Sequence, residues 1–119
     1  MAAYVVLALI EADEAGYEVR PEVISNGLGY LRNKVSQVED VTGRYQLNRQ
    51  AFVLYTLTRG GWIDSNLTES LFEKREDLDL YARGYLARTM HIVDPADPRI
   101  ETLKGDFISA AVILSLIHI

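Results

Sequence analysis

Cysteine is absent from the 119 residues, which removes disulfides, thiolate metal sites and thiol nucleophiles from this stretch of chain. Histidine is nearly absent as well: besides His91 there is only His118, close to the end, so a histidine-based metal site lacks companions. Positive charge is in deficit. Twelve Lys and Arg against seventeen Asp and Glu give a net charge of -5, which argues against a general nucleic-acid surface and against docking on anionic lipid. No apolar run suffices for a bilayer. A span takes about twenty apolar residues, and the final run from Phe107 is interrupted by Ser109, Ser115 and His118. That run is also too short, and at the wrong end, for a secretory signal. No window shows the strict alternation that a strand would need. A glycine-rich phosphate loop is missing, and no nucleophile and base stand out as a pair.

What remains is helical. "AYVVLALIEADEAG" is apolar on all sides from Tyr4 to Ile10, turns acidic at Glu11, Asp13 and Glu14, and meets a natural terminator at Gly16. In "RPEVISNGLGYLRNKV", Pro21 suits a first helical turn, and Val23, Ile24, Gly27, Leu28 and Leu31 form one amphipathic stripe. "SQVEDVTGRY" (Ser36 to Tyr45) reads as a loop. "LNRQAFVLYTLTRGG" is a second dense apolar helix closed by Gly60 and Gly61, after which Asp64 or Ser65 can cap a short helix. "LDLYARGYLARTMHIV" carries a stripe of Leu78, Tyr81, Ala82, Tyr85 and Leu86, "DPADPR" breaks it, and "IETLKGDFISAAVI" begins a third dense helix. The expected helices are 3–15, 21–35, 46–59, 77–92 and 99–113, with a short one near 66–74, arranged as antiparallel hairpins without a sheet.

The pattern repeats internally. "AYVVLAL" matches "AFVLYTL", "GYLRN" matches "GYLAR", and Phe107 opens a third copy as Tyr4 and Phe52 open the first two. The period is about fifty residues, typical of stacked supersecondary units. Dense helices want cover on most sides and striped ones tolerate one wet face. The expectation is therefore all-α with dense helices inside and striped ones outside, as a curved solenoid or an α/α toroid.

The polar candidates read structurally. His91, near a helix end, suits the dipole there. "EDLDL" (Glu76 to Leu80) faintly resembles the aspartate-rich motifs of terpene-handling toroids, but is sparser and fits a helix-start cluster. Asn66-Leu67-Thr68 is formally a glycosylation sequon. Arg44, Arg49, Arg59, Arg75, Arg83 and Arg88 alternate with acids and read as a solvated ion-pair face. Tyr4, Tyr30, Phe52, Tyr55, Trp62, Tyr81 and Tyr85 fall at helix-packing positions, and Gly27 and Gly29 suit close helix approach. No catalytic, cofactor or metal residue is assigned.

At "YVVLALIEADEAG", "LNRQAFVLYTL", "LYARGYLA" and "DPRIETLKGDFISAAVI", the chain resembles the thioester-containing helical domain of bacterial alpha-2-macroglobulin-like proteins. The resemblance covers nearly all of Tyr4 to Ile113, in order. It implies a partial α/α toroid and a non-catalytic, scaffolding role in a protease-trapping endopeptidase inhibitor, periplasmic or at the cell surface. The partners it implies are target proteases and the other domains of the parent chain, with no cofactor. The Cys-Gly-Glu-Gln thioester of that family lies upstream of the matched region and has no counterpart here, so no reactive residue carries over. The rival readings are a toroid enzyme of the terpene-cyclase or prenyltransferase type and a helical-repeat interaction module. Residues 1–113 are thus expected to be a fragment of that domain. Residues 114–119, LSLIHI, are expected to be a non-native tail. They resemble the translation of a transposase end sequence used in preparing sequencing libraries, and the family pattern departs at the same point.

Overall fold

The structure, a computed structural model, describes residues 2–37 and 43–117. Among them are six α-helices and no strand: α1 (Ala3–Glu14), α2 (Pro21–Gln37), α3 (Arg44–Arg59), α4 (Ser65–Glu73), α5 (Leu80–Val93) and α6 (Pro98–Ile117), with a single 3₁₀ turn at Arg75–Asp77 before α5. The all-α expectation holds. The loop expected from Ser36 to Tyr45 is shorter than its polar composition suggested, since Ser36 and Gln37 belong to α2 and Arg44 and Tyr45 to α3; residues 38–42 and the last two residues of the tail lie outside the described residues.

The ends follow local chemistry. Gly16 takes φ +96° beyond α1 and Gly61 takes the same angle beyond α3, a conformation L side chains resist. Asp64, not Ser65, caps α4: its carboxylate accepts the Leu67 N–H at 3.0 Å. Asp97 accepts the Arg99 N–H at 2.9 Å, with Pro98 opening α6. The start of α5 lies later than the expected 77 because Arg75–Asp77 spend themselves in the 3₁₀ turn and Leu78 is extended.

Pairings between helices fix their directions. Arg59, in the last turn of α3, reaches Glu11 and Glu14 at the end of α1, so α1 and α3 run the same way. Along α3 and α5, Asn48 meets Asp79, Phe52 and Tyr55 meet Tyr85, and Arg88 lies over Tyr55. These two helices therefore also run the same way. The expected antiparallel pairing of the second dense helix with the second striped one is corrected here: α4 adds a reversal of the chain between them. Antiparallel hairpins are formed by α1 with α2, and by α5 with α6, where Arg83 meets Asp106 and Gly84 meets Phe107. The result is two rows: α1, α3 and α5 parallel in one, and α2, α4 and α6 in the other.

Helix α3 is the hub, packing against α1, α2, α4 and α5. One of its faces places Val53 and Leu57 in a core with Val6, Ile10, Leu31 and Val35. The neighbouring face, roughly 100° round the helix, places Leu47, Ala51 and Leu54 with Leu71, Leu78, Ala82, Leu86, Met90, Ile100 and Leu103. Gly60 permits a close approach, since a Cβ there would lie 2.6 Å from the Leu28 side chain. Gly29, by contrast, has open space where its Cβ would be, so it does not serve the close approach expected of it. Dense apolar composition does not guarantee an interior place. Among the described residues, α3 is covered on nearly all sides from Gln50 to Thr58, while α1 exposes Tyr4 and Val5, and α6 exposes Ile108, Val112, Ile113 and Leu116. Among the described residues no helix is long and apolar enough to cross a membrane.

The reason for the α6 exposure is length. The Arg83–Asp106 and Gly84–Phe107 pairings set Leu80, the first residue of α5, opposite about Ala110. The remaining residues to Ile117 run past the end of their partner. At about 1.5 Å per residue, this overhang is roughly 10 Å long. The radius of gyration, 15.5 Å, accordingly exceeds the approximately 13.5 Å of a compact chain of this length.

Candidate functional site

The sequence-level candidates converge on two polar seams between α3 and its neighbours. The first grips the "EDLDL" segment. Asn48, 4% exposed, donates from Nδ2 to Asp79 Oδ2 at 2.9 Å and accepts the Asp79 N–H at 2.9 Å. Arg44 adds a hydrogen bond to Asp79 Oδ1 at 3.2 Å and one to the Glu76 carbonyl at 3.4 Å. Arg83 donates to the Leu78 carbonyl at 3.1 Å and to the Glu76 carbonyl at 3.4 Å. It also sits 3.3 Å from Asp106 on α6, an ion pair whose angles fall short of a hydrogen bond. Leu78 is buried in the core. The segment is therefore a helix start clamped by three side chains. Each Asp79 carboxylate oxygen already accepts one hydrogen bond, Oδ1 from Arg44 and Oδ2 from Asn48.

The second seam lies at the other end of α3. Tyr55 is 1% exposed, and its hydroxyl accepts from Arg59 Nη1 at 2.8 Å. Arg59 also bonds Glu14 at 2.7 Å and approaches Glu11 at 3.5 Å. The Tyr55 hydrogen bond, helped by Glu14 and opposed by partial burial, holds the Arg59 guanidinium above its ordinary range. Arg88 stacks over the Tyr55 ring at 4.6 Å, and Tyr85 meets Phe52 edge-on at 4.9 Å. Cation and ring lend each other support at such separations.

The six arginines thus do not share one solvated face. Arg44, Arg59 and Arg83 tie separate helices, Arg75 and Arg88 cover rings at 4.4 and 4.6 Å, and Arg49 is exposed beside a groove. The aromatics divide likewise: Phe52, Tyr55 and Tyr85 pack, whereas Tyr4, Tyr30 and Tyr81 are 69%, 45% and 58% exposed because their helix faces have no neighbour. His91 is exposed in the last turn of α5. Asn66 is exposed, but Thr68 of the same sequon is buried and donates its hydroxyl to the Asp64 carbonyl at 2.8 Å. That commits it to the helix.

A groove of about 530 Å³ opens between the start of α1, the second half of α2 and the first half of α3. Leu31, Val35 and Val53 floor it, with Tyr30, Lys34 and Arg49 at its rim. Lys34 lies 5.5 Å from the Tyr30 ring centre. Among the described residues no group of three or more His, Asp or Glu side chains is placed to hold a metal. Asn48 was missed as a structural residue in the sequence, and Gly60, expected there only to close its helix, also admits the Leu28 side chain. The available signal was a polar residue, Asn48, in phase with the apolar stripe of Leu47, Ala51 and Leu54.

The rows, seams and hub define a class before any relative is considered: a stack of helical pairs held by a central helix. No family model matches the chain, and neither does any curated protein or solved structure.

Proposed function

We propose that residues 1–113 form part of the α/α-toroid domain of an alpha-2-macroglobulin-like protease trap. Their role is structural rather than catalytic, in a bacterial protein at the periplasm or cell surface that engages proteases through its other parts. The observation that carries this reading is the ordered run of four sequence stretches between Tyr4 and Ile113. The architecture is compatible with it, because an arc of a toroid also has one row of parallel helices backed by a second row. Helices α1, α3 and α5 supply the first row, and the uncovered faces of α1 and α6 lie where further helices would continue it. A thioester needs a site shielded from water, which such a ring supplies, while the reactive residues lie in sequence outside these 119.

A second reading is an open helical-repeat module that binds a protein partner. The observation that favours it is the parallel step from α1 to α3 to α5, which needs no ring closure. Sequencing the source DNA upstream of Met1 separates the two. The first reading expects an open frame encoding Cys-Gly-Glu-Gln. Continued fifty-residue helical repeats without that motif favour the second. A stop codon directly ahead of Met1 overturns the first.

A further inference from the structure

We draw no further inference here: the strongest candidate, the groove between α1, α2 and α3 with Lys34 and Arg49 at its rim, carries nothing, since Met1 and residues 38–42 lie outside the described residues and nothing in the structure shows what covers it.

Discussion

Asn48→Ala should cost more than any other single polar truncation in the first seam. Its side chain makes one hydrogen bond to the Asp79 carboxylate and one from the Asp79 N–H, both 2.9 Å long. The carboxylate is 47% exposed, so the charged bond belongs near the low end of its class, about 1.5 kcal/mol, and the neutral one adds about 1 kcal/mol. The sum, about 2.5 kcal/mol, corresponds to a fall in thermal midpoint of roughly 10 °C for a chain of this size. Urea unfolding followed by circular dichroism is the assay, and the midpoint should shift at constant slope. Asn48→Asp sharpens the argument. It keeps an acceptor for the Asp79 N–H but sets a second carboxylate against the first, so it should cost more than alanine. Arg44→Ala removes only exposed contacts to the same group and should cost less than about 1 kcal/mol. If Asn48→Ala loses under about 1 kcal/mol, or Asn48→Asp is as stable as the wild type, the seam does not hold α5 on α3 in the way described.

Three further outcomes are expected. The hydrogen bonds from Arg99, opposed by partial burial, hold the Asp97 carboxyl below its usual range. Its stabilising contribution is therefore full above the unfolded value of about 3.9 and lost as pH falls below it, and Asp97→Asn should flatten the acid limb of a stability–pH curve. Gly61→Ala places a Cβ on a residue at φ +96° and should cost about 1–2 kcal/mol, read as a lower urea midpoint; no change would mean the α3 terminus relaxes freely. Deleting 114–119 should shift that midpoint by less than about 0.5 kcal/mol, since Leu116 is 66% exposed on the overhang; a loss of several kcal/mol would show the tail to be part of the fold.

Helix positions were legible because their signals are local. Pro21, Gly16, Asp64 and the paired prolines around Ala96 act within a turn, and the observed boundaries follow them. Direction was not legible. Nothing within α5 states that it runs parallel to α3; that is decided by the reversal at α4 and by Asn48, a single polar residue on an apolar face. The rule that dense helices lie inside also failed at particular residues. Tyr4 and Ile108 belong to runs as apolar as Ala51–Leu57, yet they are 69% and 65% exposed. Hydropathy records what a face prefers, while burial records whether a neighbour came. The polar seams escaped for a related reason: Arg59, Tyr55 and Glu14 are ordinary in sequence and become a unit only when α1 and α3 lie side by side.

The hub position of α3 also has a kinetic meaning. The α1–α2 pair and the α5–α6 pair each lean on α3, so neither can find its place until α3 exists as a template. The transition state should contain α3 with part of one neighbour, and the far pair should close afterwards. Shaving Leu54 or Leu57 would then slow refolding, whereas shaving Ile10 or Leu103, on the two flanks, would chiefly hasten unfolding. The molecule would come apart from its flanks inward, with its central helix the last to let go.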